Sequence, residues 1–139
     1  MDTKKFLTGT LVGGIVFFFV GYLFYGMALE SFFTEHSSGV GMRTMEEMVW
    51  WALILGNMAQ AALLTYIFLK WANISSFGSG ASAAATVGFL TALGMNMIRF
   101  ATTNSFDLTA SLTDVGVVTV LTAIGGGAIG AVLGMGKKS

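Results

Sequence analysis

The spacing of the charged residues constrains this chain more than any other feature, because it leaves four long stretches without a charge. The stretches that lack Asp, Glu, Lys and Arg are residues 6–29, 48–69, 71–98 and 115–136. A helix needs about 20 apolar residues to cross the roughly 30 Å hydrocarbon core of a bilayer, and every stretch is long enough. Inside lipid the backbone must satisfy its own hydrogen bonds, so these stretches are expected to be helices.

We therefore predict an all-α fold, a four-helix transmembrane bundle that forms a single integral membrane domain over residues 1–139. Charged residues make up only 10% of the chain and hydrophobic residues 55%, whereas soluble domains carry about 25% charged residues. A soluble chain of this length could not bury so much apolar surface, so the lipid bilayer is a predicted partner. The predicted helices span about residues 7–29, 48–71, 81–103 and 112–135.

Local signals mark some of the helix ends. Thr44 with Glu47 forms a T-x-x-E capping box before the second helix. Ser111 with Asp114 forms the S-x-x-D version before the fourth. The Gly- and Ser-rich residues 73–80 predict a turn between the second and third helices.

The basic residues predict the orientation of the bundle. Four helices place both chain termini on the same side of the membrane. That side carries five lysines, whereas the other side carries only Arg43 and Arg99. Because Lys and Arg accumulate on the cytoplasmic side, we predict that both termini are cytoplasmic. The five lysines are Lys4, Lys5, Lys70, Lys137 and Lys138.

The composition argues against several classes of function. The net charge is zero and no basic patch carries interleaved aromatics, so we predict no nucleic-acid partner. With no cysteine and one histidine, His36, the chain lacks the usual ligands for zinc or haem, and we predict no cofactor and no metal site. The acidic segment 30–47 around His36 fits a solvated loop better than a cation site. No nucleophile–base set and no phosphate-binding loop occur, so we predict that the chain is not an enzyme.

Glycines recur at intervals of four residues in two of the predicted helices. Gly126, Gly130 and Gly134 form a double GxxxG pattern in the fourth helix, and Gly9 and Gly13 form one in the first. Small residues at this spacing let helix backbones approach closely, where dispersion and weak hydrogen bonds hold them together. We predict that these five glycines pack helices, either inside one bundle or against a second copy in a homo-oligomer.

Five polar residues are predicted to lie within the membrane. Asn57 and Gln60 share a face of the second helix because they are three residues apart. Asn96, Arg99 and Asp114 lie toward the non-cytoplasmic side. Such residues either hydrogen-bond between helices or line a polar pathway or ligand site. We expect Arg99 to pair with Asp114, as an interfacial clasp or as part of an outward-facing anion or headgroup site.

Three segments carry a resemblance to known proteins. Residues 21–25 (GYLFY) are similar to a G-x-x-W-Y pattern, with Phe24 in place of the tryptophan. Residues 88–90 with Gly94 resemble a small-residue stretch, and Asp114 precedes a Gly-rich final helix. With these features the whole chain resembles an uncharacterised-domain family of small four-helix bacterial inner-membrane proteins. The resemblance implies a fold and a location in the cell inner membrane, but no activity.

Two functions from different classes fit these observations. The first is a non-enzymatic structural or accessory subunit that self-associates or joins a larger membrane complex, which the glycine faces favour. The alternative is a small oligomeric channel or transporter, which the intramembrane polar residues favour. A pathway requires these polar side chains to converge on a hydrated cavity, whereas a subunit requires them to bond to one another in a dry core.

Overall fold

The computed structural model describes residues 2–36, 48–103 and 107–135. In these residues every regular element is helical, and four helices are long and apolar enough to cross a membrane. This confirms the predicted all-α class and the number of helices of membrane-spanning length. The four candidate spans are Thr3–Ala28, Trp50–Ala72, Phe77–Thr102 and Leu108–Gly134.

Two of these spans end in wider, π-helical turns. Helix α1 continues into a π-helical segment at Tyr22–Ala28, and helix α3 continues into another at Phe68–Ala72. A break at Leu29 separates the first of these segments from the short helix α2. In chain order the α-helices are α1 (Thr3–Gly21), α2 (Glu30–Glu35), α3 (Trp50–Ile67), α4 (Phe77–Thr102) and α5 (Leu108–Gly134).

The turn between α3 and α4 is shorter than the sequence analysis predicts. Asn73 adopts a left-handed conformation with φ 51° and ends the π-helical segment. The side chain of Ser76 then accepts the backbone N–H of Ser79 at 3.3 Å and caps α4. Helix α4 therefore begins at Phe77 rather than at position 81, and the second half of the predicted turn 73–80 is helical.

Helix α5 also begins earlier than predicted, at Leu108 rather than at position 112. The reason is Asp107, whose side chain accepts the backbone N–H of Ala110 at 2.8 Å and caps the helix there. Ser111 and Asp114 lie inside α5, so the capping box predicted for them is wrong. The Asp114 side chain therefore does not cap α5, and its carboxylate makes other contacts.

The acidic segment predicted as a solvated loop begins with helix α2. The break at Leu29, with φ −117°, ends the preceding helical segment before this helix starts. Phe33 on α2 is buried, with 8% of its surface exposed, so this part of the segment packs on the protein. Residues 37–47 lie outside the described residues, and so does the predicted capping box of Thr44 and Glu47.

Helix α5 is the central element of the bundle. It packs along α4 and along α1, whereas α3 packs mainly on α1 and has no extensive contact with α4 in the described residues. Gly9 near the start of α1 faces Leu133 near the end of α5, so these helix ends lie at the same end of the bundle. We name the opposite end the distal end; α2, the end of α4 and the start of α5 lie there.

The α4–α5 interface is formed mainly by small residues. All buried residues of α4 belong to one row that advances in steps of four. A Cβ atom at Gly126 would overlap Ala84, and one at Gly88 would overlap Thr122, so the two backbones approach too closely for larger side chains. The row on α4 is Gly80, Ala84, Gly88, Ala92 and Asn96.

Large apolar side chains cover much of the surface, in contrast to the small residues inside. Trp51 and Met95 are 72% and 71% exposed, and Leu90 is 60% exposed. A surface of this kind would associate in water, but it is the surface that surrounding lipid requires. The core cluster consists of Phe17, Ala61, Leu64, Phe68, Ala84, Ile129 and Leu133.

Candidate functional site

Four polar side chains meet near the distal end, and we name them the polar cluster. Tyr25 lies in the π-helical segment after α1, Asn96 and Arg99 lie in the last two turns of α4, and Asp114 lies in the second turn of α5. Because α4 and α5 run antiparallel, the end of one helix meets the start of the other. Asp114 is about 9 Å along α5 from its first residue. A helix of 27 residues is about 40 Å long and exceeds the roughly 30 Å hydrocarbon core by about 5 Å at each end, so this carboxylate is expected inside the apolar region.

Asp114 is the centre of the polar cluster. The Tyr25 hydroxyl donates to Asp114 Oδ1 at 2.5 Å, and Asn96 Nδ2 donates to Asp114 Oδ2 at 2.8 Å. Asn96 Nδ2 also donates to the carbonyl of Ala92 at 2.9 Å. Arg99 Nη2 donates to Asn96 Oδ1 at 2.6 Å. Both oxygens of Asp114, and both polar atoms of the Asn96 side chain, therefore have partners.

Arg99 and Asp114 lie at the distance of a loose ion pair. Arg99 Nη2 is 3.9 Å from Asp114 Oδ2, and Asn96 bridges the two side chains through its two hydrogen bonds. Asn96 is 3% exposed, the Asp114 side chain 14%, and the Arg99 side chain 41%. The cluster thus extends from the packed interior to the surface at the end of α4.

The arrangement favours a clasp over an anion site. Asp114 accepts hydrogen bonds from α4 and from the segment after α1, so it joins three spans at one depth. An incoming phosphate or other anion would have to approach Arg99 within a few ångströms of the Asp114 carboxylate and would be repelled by it. Hydrogen bonds between helices in membranes contribute about 0.6–2 kcal/mol each, so the clasp is expected to stabilise the helix arrangement.

Helix α2 adjoins the polar cluster. The ring of Phe33 lies 5.5 Å from the ring of Tyr25, measured between centroids. His36 Nδ1 lies 2.7 Å from Asp107 Oδ2, and the backbone N–H of Asp107 donates to the carbonyl of His36 at 3.1 Å. Asp107 also caps α5 through Ala110, so one carboxylate connects α2 to the helix that carries Asp114.

The same contacts shift the acidity of Asp107, which lies just outside the candidate span. The backbone N–H of Ala110 holds the pKa of this carboxyl below its ordinary value, and the hydrogen bond with His36 lowers the pKa further. The backbone N–H of Ala110 donates a hydrogen bond to the carboxylate. The His36 imidazole also stabilises the charged form, because it can donate a hydrogen bond and carries positive charge when protonated. Asp107 therefore keeps its charge, and its two contacts, to a lower pH than an isolated aspartate.

The other two predicted intramembrane polar residues lie apart from the polar cluster. Asn57 and Gln60 are on α3, which has no extensive contact with α4. Asn57 Nδ2 donates to the carbonyl of Leu53 on its own helix at 2.8 Å, and Gln60 is exposed. Asn57 borders a shallow groove of about 200 Å³ between α1 and α3 whose other lining residues are apolar or glycine. Within one protomer these residues and Asn96 or Arg99 do not converge.

The five predicted packing glycines all have close neighbours within the chain. A Cβ atom at Gly9 would lie 2.6 Å from Thr65 Cγ2, and one at Gly13 would lie 2.6 Å from Ile129 Cδ1. The three glycines of α5 face α4 and the residues before it. Cβ atoms at Gly126, Gly130 and Gly134 would overlap Ala84, the Ser76 carbonyl and the Ser75 carbonyl respectively. A role for these glycines in a homo-oligomer stays a prediction.

Three features of this region are not predicted from the sequence. Tyr25 was not assigned to the site, although a hydroxyl near the end of the first span lies at the depth of Asp114. The row of small residues on α4 was also missed, although Gly80, Ala84 and Gly88 show the same four-residue period as the glycines of α5. The contact of His36 with Asp107 leaves no signal in the sequence, because it depends on where α2 folds.

Among residues 2–36, 48–103 and 107–135, no group of three or more His, Cys, Asp or Glu side chains is placed to hold a metal ion. A scan against models of protein families, a search of curated proteins and a search of solved structures find no match to this chain.

Proposed function

We propose that this chain is a non-enzymatic structural or accessory subunit of a bacterial inner membrane, which self-associates or joins a larger membrane complex. The observation that supports it is the polar cluster, where Asn96, Arg99 and Asp114 bond to one another across helices. This is the arrangement expected of residues that hold helices in position. The excess of lysines on the side of the chain termini supports cytoplasmic termini, which would place the distal end on the outer face of the membrane.

Helix α4 offers a face on which a partner could pack. Among the described elements its extensive contacts are all with α5, and its opposite side is exposed. A Cβ atom at Gly78 or Gly94 would meet nothing within 4 Å, so the backbone is accessible there to another helix. Close approach of helices over small residues is the usual mode of association in lipid. The exposed residues that follow one another in steps of four on this side are Gly78, Ser82, Thr86, Leu90, Gly94 and Ile98.

The second candidate, a small channel or transporter, depends on association of several copies. Arg99 is 41% exposed, and Asn57 borders a groove on another side of the protomer. These side chains could line one pathway only where different protomers bring them together. The intramembrane charge favours this alternative, because charged groups at membrane depth often mark ion or substrate routes.

Native mass spectrometry of the protein, extracted from its own membrane into nanodiscs, tests the proposal. A mass equal to this chain with a second copy or with other proteins supports a subunit, and other masses identify the partners. A symmetric ring of this chain alone favours the channel, and flux assays on Asn57→Ala and Arg99→Ala would then be compared with wild type. A single copy without partners would contradict the proposal.

The exposed glycines provide matched variants for the same measurement. Gly94→Leu fills the open side of α4, whereas Gly56→Leu fills an equally open position on α3. If the partner packs on α4, Gly94→Leu is expected to lower the fraction of the associated form and Gly56→Leu to leave it unchanged. Equal effects of the two variants on the associated fraction would contradict the proposal that the partner packs on α4.

A further inference from the structure

Phe33 and His36 both attach helix α2 to other parts of the described chain. The buried Phe33 packs against the ring of Tyr25. His36 contacts the side chain of Asp107 at 2.7 Å and accepts its backbone N–H at 3.1 Å. The ring of Phe32 lies tilted against the His36 imidazole, with centroids 4.5 Å apart, so the imidazole is supported in this position.

A break in the helical backbone lies directly before α2, and the Leu29 N–H donates to the carbonyl of Phe24 across it at 2.8 Å. Leu29, with φ −117° and ψ 10°, separates α2 from the preceding π-helical segment Tyr22–Ala28. A helix of six residues is too short to be stable by itself, because helix nucleation is costly. The position of α2 therefore depends on its contacts at Phe33 and His36.

Both attachments lead to Asp114. Tyr25, which packs against Phe33, donates its hydroxyl to Asp114 Oδ1. Asp107, which contacts His36, caps α5, the helix on which Asp114 lies two turns later. The Asp114 side chain is 14% exposed while these contacts are made, so the carboxylate is close to the surface and nearly covered.

We infer that α2 is a movable cover, and that the contact between His36 and Asp107 controls the access of water and small solutes to the Asp114 carboxylate. When this contact breaks, α2 turns about Leu29 and Phe33 separates from Tyr25. The Tyr25 hydroxyl then loses the packing that holds it on Asp114. The inference concerns access within one protomer and does not depend on the proposed function.

Carbodiimide labelling of the full chain in nanodiscs tests this inference. A water-soluble carbodiimide with glycine ethyl ester converts accessible carboxyl groups to amides, and mass spectrometry gives the rate at Asp114. Asp2, which is exposed at the other end of α1, serves as the internal reference. We expect His36→Ala to raise the relative rate at Asp114 about fivefold, as for the loss of one hydrogen bond of ordinary strength. Glu35→Ala, an exposed position on the same helix, is the control and is expected to match wild type.

Hydrogen exchange of residues 30–36 on the same samples separates movement of α2 from access to Asp114. Faster exchange together with faster labelling in His36→Ala supports the inference. Faster exchange with unchanged labelling would show that α2 moves without controlling access to Asp114. Unchanged exchange would show that His36 does not hold α2 in place. Either result overturns the inference. Asp107→Asn, which keeps a capping side chain, is a second variant and is expected to raise labelling in the same direction.

Discussion

Asn96 Nδ2 donates a hydrogen bond to Asp114 Oδ2 at 2.8 Å, and this contact closes the α4–α5 interface at its distal end. Asn96 is the last member of a row on α4 whose other buried members are Gly or Ala. The interface therefore changes from close backbone packing to side-chain hydrogen bonding within one helical turn. Both modes can hold helices together in lipid, where no hydrophobic drive between helices is present.

The energetic coupling between Asn96 and Asp114 can be measured with a double-mutant cycle. Asn96→Ala and Asp114→Ala are each expected to lower the free energy of unfolding by about 1–3 kcal/mol, because each leaves polar partners unpaired. The coupling energy between the two is expected to be about 1 kcal/mol. The measurement is unfolding by SDS in mixed micelles, followed by circular dichroism. Leu112→Ala, an exposed position on α5, is the control. A coupling energy of zero would mean that this hydrogen bond does not stabilise the protein in the micelle.

The close approach of α4 and α5 predicts opposite effects of Gly→Ala at two positions. At Gly126 a Cβ atom would overlap Ala84, so Gly126→Ala is expected to lower the free energy of unfolding by about 1–3 kcal/mol. At Gly94 a Cβ atom has open space, so Gly94→Ala is expected to leave stability unchanged or to raise it by up to about 1 kcal/mol through helix propensity. SDS unfolding of both variants checks this, and a harmless Gly126→Ala would refute the close packing.

The proposed orientation can be tested by labelling single cysteines, because the chain has no cysteine of its own. We expect a membrane-impermeant maleimide to label Glu35→Cys on intact spheroplasts. Lys4→Cys and Lys70→Cys are expected to react only after the inner membrane is made permeable. All three positions are exposed in the described structure, so burial does not explain a difference. The reverse labelling pattern would place the termini outside and contradict the orientation predicted from the distribution of lysines.

Asp107 predicts a specific pH dependence of stability. Its pKa is lower in the folded protein than its ordinary value of 3.8, so its charged form contributes stability that is fully present above that value. This contribution is lost as the pH falls through the lower, folded-state pKa. We expect wild type to have a higher Tm than Asp107→Asn at about pH 5–6 and the difference to disappear only below about pH 3.8. Thermal unfolding of both proteins in detergent at several pH values measures this difference in Tm. A difference in Tm that does not change with pH would exclude the charge of Asp107 as its source.

The spans were predictable because they depend on local composition, but several helix starts were not. The charge-free stretches predicted four helices, and the described residues contain four of spanning length. The start of α5 was misplaced because two capping residues competed, and Asp107 caps the helix before Ser111 can. Helix α2 was missed because its six residues show little periodicity and because its burial comes from Tyr25, which lies earlier in the chain.

The sequence by itself determined that this chain is helical and suited to lipid, because charge spacing and apolar length decide how a backbone satisfies its hydrogen bonds in a bilayer. It also marked Asn57, Gln60, Asn96, Arg99 and Asp114 as polar groups that need partners. Only the tertiary structure decided which of them meet. The antiparallel packing of α4 on α5 brings Asn96 to Asp114, whereas Asn57 and Gln60 lie on a helix that has no extensive contact with α4. The physical reason is that partner choice depends on which helix faces pack and in what register, and side chains far apart in the sequence set both.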